Sequence, residues 1–590
     1  MITQKKSDLV DDLFTSGVGF EAMPLYDVVI PYAEADVKAC AEVYLSQLSS
    51  FEEEDNLSLK PIVVLMNEML EFLVECETNG VQIDLDVLSS IGNEFQKEHD
   101  ELTKRLDEIV EMVMGDTPVN LNSGADVSKL IYSREVSNRD YHIQTFRIGT
   151  DEHGRTLPPP RMNKSEFNTA VRSNTKVIQK TSIECCPECD GRGQVQKYKQ
   201  ITRYKNKKPY KVVGEAYKNL SKCPSCLGVG AFYIPTGKVA GLKLSPLGPQ
   251  YAAAHGFKTD KGTIKLLISH AKNKNNDIAV EFLTKISRLS AVSTYLTSFV
   301  KGIETWTRPN GLIHTNFNQC ITATGRLSSS NINLQNMPKR GFPVRKAMVS
   351  RFDYKIVEFD YSGLEFRVAG EVSRDPQIIE DILNGKDIHK QTASIIHRIP
   401  AEEVTKETRS QIKFHTFAPL YGSQGSGLAE HEKKYYDEFF VIYKGLKSYQ
   451  QRLMDGVVKN GIVQTPSGRQ YYWPNARRLR NGRVTNATQV VNYPIQGFAT
   501  GDIVPLACVR ALRLFKSHKL KSKLILTVHD SIVVDCHPDE LSQVKKVLVE
   551  AMANVGEELE QRFDYKPVLP LDVEMTAGKN WLDQDDIPLD

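Results

Sequence analysis

The sequence predicts a soluble α+β protein of several domains, and three observations carry that reading. At 590 residues the chain is too long for one core. With 41% hydrophobic and 25% charged residues it has the balance of a globular protein. Two apolar, β-rich runs, KIVEF before Asp360 and ILTVH before Asp530, each deliver an aspartate at a strand end, with mostly helical patterning over residues 376–443 between them. The formal net charge is only +2, so any nucleic-acid binding has to come from local basic faces.

The N-terminus, MITQKKSDLVDD, lacks the apolar core of a signal peptide. No run approaches the roughly 20 apolar residues that span a bilayer. Together these predict a cytoplasmic protein without a membrane partner. Residues 62–77 place Ile62, Leu65, Met66, Met69, Leu70 and Leu73 on one helical face, stopped by Asn79-Gly80. A second periodic run follows from Leu88 to Ile109, and two helices packed on each other are expected. Residues 119–133 offer a polar cap and a short helix. From about 134 to 250 prolines, lysines, tyrosines and cysteine-glycine clusters replace helical periodicity, which marks an inserted module. Helical patterning returns over 263–271 and 278–301. Strands and turns follow over 311–369, a hairpin-like element over 465–473, and a tight strand turn at His529-Asp530-Ser531.

Five of the ten cysteines crowd into residues 185–226. Cys186-Pro-Glu-Cys189 and Cys223-Pro-Ser-Cys226 share the pattern CPxCxGxG, and four thiolates so spaced can close one tetrahedral, structural Zn²⁺ site. Cys185 is a spare that could compete with Cys186. The octapeptides resemble the zinc repeats of DnaJ-type co-chaperones, in two copies rather than four. Between them Lys197, Lys199, Arg203, Lys205, Lys207, Lys208 and Lys211 alternate with Tyr198, Tyr204 and Tyr210. That mixture suits phosphates and exposed bases, or a protein partner, or a solvated hairpin.

Arg409, Lys413, Phe417 and Tyr421 recur every four residues, so a single helix would set two cations and two aromatics along one drifting face. If the strands before Asp360 and Asp530 are neighbours, their carboxylates can hold two Mg²⁺ ions about 3.5–4 Å apart. One ion would activate a hydroxyl while the other steadies a leaving pyrophosphate.

In that order, DYSGLEFR (from Asp360), R-x3-K-x3-F-x3-YG (from Arg409) and VHD (to Asp530) resemble motifs A, B and C of family A DNA polymerases. TATGRLSSSNINLQNMP, DIH, NYPIQG and GKNW match further blocks, so the resemblance runs from about residue 62 to 581. It implies a right-hand polymerase, with an antiparallel palm sheet, helical fingers and thumb, and a small zinc-binding insertion. The expected parts are thumb at 51–135 and 251–310, insertion at 136–250, palm at 311–373 and 501–590, and fingers at 374–500. Tyr32 and Asp36 fit the YxxxD motif of proofreading exonucleases, and residues 1–50 read as a remnant of such a domain.

By the same resemblance Asp360, Asp530 and the Tyr361 carbonyl would hold the two Mg²⁺ ions, with Mn²⁺ as a substitute. Arg409, Lys413 and His389 would grip the triphosphate, Lys413 also protonating pyrophosphate. Phe417 would pack on the incoming nucleotide, Tyr421 would guard the templating position, and Glu365 would exclude ribonucleotides. Arg326, Asn333, Gln335, Asn492, Gln496 and His529 would line the primer-template minor groove, where acceptors are the same for every base pair. Four positions depart from the pattern. Ser531 replaces a usual Glu, leaving one fewer carboxylate. Thr488 replaces an Arg. Phe417 in place of Tyr predicts poor use of dideoxynucleotides. Pro419 should bend or end the helix that carries it. The implied function is primer extension with dNTPs, in a phage-type enzyme acting in an infected bacterial cell. Proofreading would be absent or supplied by a separate exonuclease polypeptide, with other replication proteins as partners. A single-subunit RNA polymerase, whose last motif also reads HDS, and a non-catalytic primer-template-binding protein are the alternatives.

Overall fold

The computed structural model describes residues 29–152, 154, 156–423, 425, 430–480 and 482–589. Contacts divide the chain into two compact units, residues 1–88 with 302–590, and residues 89–301.

The first unit is built on a five-stranded antiparallel sheet. Its strands are β1 (Lys355–Tyr361), β2 (Lys523–Val528), β3 (Ser531–Cys536), β4 (Val573–Gly578) and β5 (Asp585–Ile587), in the order β2-β3-β1-β4-β5. Every residue of β3, and Ile356 to Phe359 of β1, is buried. Both faces of these strands are therefore covered, which is why they read as continuous apolar runs rather than as alternation.

The helices of this unit share one hydrophobic core with the sheet. In chain order they include α1 (Lys60–Asn79), α2 (Leu364–Ser373), α3 (Ile388–His397), the abutting pair α4 (Lys406–Gln411) and α5 (Lys413–Leu420), α6 (Ala487–Gln496) and α7 (Val504–Ser517). α1 buries Ile62, Leu65, Met69, Phe72, Leu73 and Cys76 along one face and stops at Gly80, whose φ of +61° suits glycine. It packs on α7 and β2. Asn79 Nδ2 donates to the Leu524 carbonyl at 2.9 Å, and Glu68 and Glu71 pair with Arg513 and Lys516. Truncating the fully buried Phe72 to Ala would cost about 3–5 kcal/mol.

The second unit has its own core, from Leu106 to Ile286 in sequence, under helices that include Gly124–Tyr132, Lys261–Asn273 and Asp277–Thr294. Ser123 caps the first of these, its side chain accepting from Asp126 N, as the polar cap in the sequence predicts. The inserted segment is less uniform than its composition implies. Arg139–Phe146 and Lys164–Asn174 are helices capped by Asn138 and Asn163, and they send Phe146, Phe167 and Val171 into this core. Helices of 8 and 11 residues hold too few apolar positions to show a period. The strand-rich part runs from Gln179–Cys185, which pairs with Ala231–Val239 and so encloses both cysteine pairs.

Ile30–Ser50 is a helix with no buried residue, and it carries Tyr32 and Asp36. Residues 1–28 of the expected exonuclease remnant lie outside the described residues. Among the described residues no helix is long and apolar enough to cross a membrane.

Candidate active site

β1 and β3 run antiparallel with Asp360 opposite Ser531, and β2 and β3 are joined by the two-residue turn His529-Asp530. The Tyr361 amide donates to the Asp530 carbonyl at 3.3 Å, locking the turn to the end of β1. His529 takes φ +57°, a left-handed conformation that costs a non-glycine residue about 1–3 kcal/mol. The sheet thus brings the two expected aspartates together. Burial, then the charges of Asp530 and Glu358, push Asp360 up to about 8. Burial also raises Asp530, against the pull of its hydrogen bond with Asp360. Neither carboxylate has a Lys or Arg within ion-pair distance among the described residues. Two adjacent carboxylates, Asp360 open to solvent and Asp530 half-buried, are a hard-oxygen donor set that fits a divalent cation such as Mg²⁺. Tyr361 is buried beside them and its hydroxyl donates to the Met552 carbonyl at 2.8 Å.

Glu358, unnoticed in the sequence, joins this patch from below. Its Oε1 accepts from Ser531 Oγ at 3.1 Å and its Oε2 from Trp581 Nε1 at 3.1 Å. The Trp581 ring lies under the Arg345 guanidinium, 3.9 Å from its centroid. The carboxylate missing at Ser531 is therefore matched by one on the neighbouring strand. The signal was available: an acid inside an apolar strand, two residues from Asp360, must share its face.

The basic segment departs from the expected single helix. α4 ends at Gln411 and α5 begins at Lys413, with a one-residue break at Ile412. α5 carries Pro419 and ends at Leu420, as the missing donor predicts. Gln450 Nε2 then satisfies the Pro419 and Leu420 carbonyls at 2.9 and 3.2 Å. Arg409 and Lys413 line a cleft of about 400 Å³ together with Arg340, Lys390 and Lys406. Lys406 stands one helical turn before Arg409 in α4, whereas Arg340 and Lys390 come from distant segments that local pattern could not group with them.

Arg409 Nε donates to Asp387 Oδ2 at 2.6 Å. Asp387 also caps α3, accepting from the amides of His389 and Lys390. Burial pushes His389 down to about 4, helped by Lys413 and Arg409, so its imidazole is neutral near pH 7. Its Nδ1 is buried without a partner in the structure.

A line of contacts leads from this cleft toward the carboxylates. His389 meets Phe417 edge-on at 5.3 Å, and Phe417 stacks on Tyr421 at 6.4 Å with 16° between ring planes. The Tyr421 hydroxyl donates to Glu365 Oε2. Arg326 Nη2 pairs with Glu365 at 3.4 Å, and its Nε donates to Thr500 at 3.2 Å. Burial raises the Glu365 carboxyl, and Asp530 adds to the rise.

Of the remaining expected residues, Gln496 hydrogen-bonds Glu365, and His529, lowered by burial and then by Arg326, sits beside Asp530. Gln335 donates to the Thr527 carbonyl at 3.1 Å, while Asn333 caps a short turn by accepting from the Asn336 amide. Asn492 Oδ1 is buried without a partner in the structure. Gly497, after Gln496, lets Tyr471 approach closely: a Cβ there would lie 1.8 Å from the Tyr471 hydroxyl, which would have to move.

In the second unit the sulfurs of Cys186, Cys189, Cys223 and Cys226 all lie within 4.8 Å of one another and are buried. Gly193 N donates to Cys189 Sγ at 3.3 Å and Gly230 N to Cys226 Sγ at 3.1 Å, so each knuckle repeats the other. Cys185 is exposed and stands outside the cluster. Four clustered sulfurs with backbone donors could hold one tetrahedral metal ion.

Comparison with known proteins adds the lineage. DNA polymerase I of Lactococcus lactis subsp. lactis is 35% identical over 312 residues, covering 51% of this chain and 34% of that protein. DNA polymerase I of Geobacillus stearothermophilus is 31% identical over 340 residues, covering 56% of this chain and 37% of that protein. The matched stretch is thus about a third of the length of these curated relatives. The solved POL domain of Pol1 from M. smegmatis, in complex with DNA primer-template and dNTP, shares the fold. Its TM-score is 0.63 over 98% of this chain and 80% of that one, at 22% identity. A family model for DNA polymerase family A matches residues 240–583, more than half of the chain. Since that stretch contains both aspartates, the cation cleft and the contacts that join them, the chain belongs to DNA polymerase family A.

Proposed function

We propose that this chain is a template-directed DNA polymerase that extends a primer 3′-hydroxyl with deoxynucleotides. The observation that carries the reading is the pair Asp360 and Asp530, brought together across β1 and β3 with no Lys or Arg in ion-pair distance among the described residues, near one end of a line of contacts that begins in a cleft of five cations. The chemistry that two Mg²⁺ ions would supply, held by Asp360, Asp530 and the Tyr361 carbonyl, is activation of the primer hydroxyl and neutralisation of the departing pyrophosphate.

The chain's own side chains do the rest. Arg409, Lys413, Arg340, Lys390 and Lys406 bind the triphosphate. Lys413 hands a proton to the leaving pyrophosphate. His389, kept neutral, can donate one N–H to a phosphate oxygen. Phe417 presents a flat ring to the nucleotide, and Tyr421, tied to Glu365, holds the next ring in register. Glu365 is itself fixed by Arg326, and a fixed carboxylate there excludes a sugar 2′-hydroxyl. Arg326, Asn333, Gln335, Asn492, Gln496 and His529 test pairing geometry in the minor groove without reading sequence.

In this reading the sheet unit supplies palm and fingers (311–373, 374–500, 501–590), and 51–135 with 251–310 form the thumb around the zinc-binding insertion. One Zn²⁺ closed by Cys186, Cys189, Cys223 and Cys226 is structural, with no open position for chemistry. Replication of a phage genome in the bacterial cytoplasm, with proofreading from a separate polypeptide, belongs to the same proposal.

Primer extension with dNTPs and rNTPs in parallel tests it, with a labelled primer incubated without nucleotides as the nuclease control. Extension by dNTPs alone, with the labelled primer intact, is expected. Preferential use of rNTPs would favour the RNA polymerase alternative, and binding without extension would favour a non-catalytic protein.

A further inference from the structure

The strands Tyr198–Lys205 and Lys208–Ala216 form a two-stranded hairpin that, among the described residues, pairs with no further strand. Its turn is Asn206-Lys207, with φ of +52° and +63°, the two-residue geometry that fits the twist of a hairpin. Almost every residue of both strands is exposed. A lone two-stranded hairpin is marginal in water, so its sequence should favour its own stability. It does the reverse. Lys205 lies directly opposite Lys208, a like-charge cross-strand pair that opposes folding. From Lys197 to Lys222 nine lysines and arginines stand against one acid, Glu215. None of those nine is in an ion pair among the described residues.

The register sorts these side chains by face. Arg203 pairs with Tyr210 and Lys205 with Lys208, so three cations and one ring share a face, spaced about 7 Å apart along each strand. Tyr204 lies on the other face, paired with Pro209, and is 71% exposed, while Tyr210 is 45% exposed. Exposed lysines without acids call for a polyanion. Exposed tyrosines beside them call for accessible π-faces, which single-stranded bases offer and stacked duplex bases do not.

We infer that this hairpin is a second nucleic-acid site, binding single-stranded DNA through Arg203, Lys205 and Lys208 on its phosphates and Tyr210 on a base. The inference takes its choice of DNA from the polymerase reading, but its test does not depend on catalysis.

The test uses the full chain loaded with zinc, a labelled oligothymidylate, and a blunt duplex as comparison. In Arg203→Gln, Lys205→Gln, Lys208→Gln, oligothymidylate affinity should fall on the order of tenfold, and the slope of log affinity against log salt should shrink by about 2. Duplex affinity and primer extension at saturating DNA should be unchanged. Tyr210→Ala should weaken oligothymidylate binding without altering the salt slope. Equal losses on the duplex would overturn the single-strand assignment. No loss on either, or no binding by the parent chain, would overturn nucleic-acid binding altogether and leave an acidic protein as the occupant. Should the triple variant lose its metal, Lys205→Gln, Lys208→Gln and Tyr210→Ala carry the same test. A chain that binds oligothymidylate but never extends a primer would refute the polymerase reading and leave this one standing.

Discussion

The first unit brings Asp360 and Asp530 together, and the second brings together the sulfurs of Cys186, Cys189, Cys223 and Cys226. The aspartates come from distant parts of the sequence, and the pairing of β1 with β3, buried on both faces, leaves them no freedom to separate. The thiols come from two local knuckles joined by the two-residue strands Gln194–Val195 and Ser221–Lys222, with only Val195 and Phe232 packed against them. In the first region the core imposes a geometry that electrostatics resists, and a bound cation would relieve it. Around the knuckles there is hardly any core, and a bound cation would supply what burial does not. Metal should therefore serve activity in one region and folding in the other.

The sharpest break of this contrast is Asp530→Ala. Several kcal/mol of charge stabilisation in the transition state should be lost, so primer extension should fall by roughly a thousandfold or more. Thermal stability should not fall, because one of two close, mutually repelling carboxylates has been removed. A variant that still extended primers, or that unfolded, would place Asp530 in the scaffold instead.

The complementary variant is Cys223→Ser, Cys226→Ser. Zinc measured on the purified protein should drop from about one per chain to none. Limited proteolysis should then cut within residues 179–239 while the five-stranded sheet stays resistant. Zinc retained in the double variant would separate the cluster from metal binding, and protection retained without zinc would show that the knuckles fold unaided.

A smaller effect is expected from pH. Asp360 sits at about 8 in the fold and near the ordinary carboxylate value once unfolded, so the folded state binds the extra proton between those two values. Its contribution is fully present below the unfolded value and is lost as pH rises through about 8. In buffer with zinc but no Mg²⁺, the melting temperature should decline over that window, and Mg²⁺ should flatten the decline. Asp360→Asn should lose this component, and an identical profile in that variant would remove Asp360 from the explanation.

The two regions also differ in how far they could be read in advance. The clustering of the four knuckle cysteines was legible, because the spacing within each pair is local and repeated. The aspartates were legible as strand ends, but their meeting depended on a pairing that periodicity alone does not specify. Arg340 and Lys390 were not legible, because the cleft gathers them from a loop and another helix, without common spacing with Arg409 and Lys413. A four-residue cadence from Arg409 to Tyr421 concealed the break at Ile412, since one irregular residue hardly shifts the faces of the two short helices. The helix over residues 62–77 was visible, but its partner was not: an apolar stripe says that a face is buried and not against what.

The finest test concerns Glu358, where the sheet region compensates for its own sequence. Ser531 cannot contribute a carboxylate, yet its hydroxyl donates to Glu358, and Trp581 fixes the other oxygen. The charge of Glu358 acts on Asp360 from two residues away on the same face of β1. Glu358→Gln keeps the shape and one acceptor while removing that charge. At an effective dielectric constant of about 20, a neighbouring charge is worth a few kcal/mol at most, and solvent in the cleft reduces it. The Mg²⁺ concentration for half-maximal extension should therefore rise several-fold, with the rate at saturating Mg²⁺ little changed. Glu358→Ala would strand the Trp581 N–H as well, so it should lose stability in addition. If Glu358→Gln left the Mg²⁺ dependence unaltered while Glu358→Ala still destabilised the fold, Glu358 would be a packing residue and the sheet would run its site on two carboxylates.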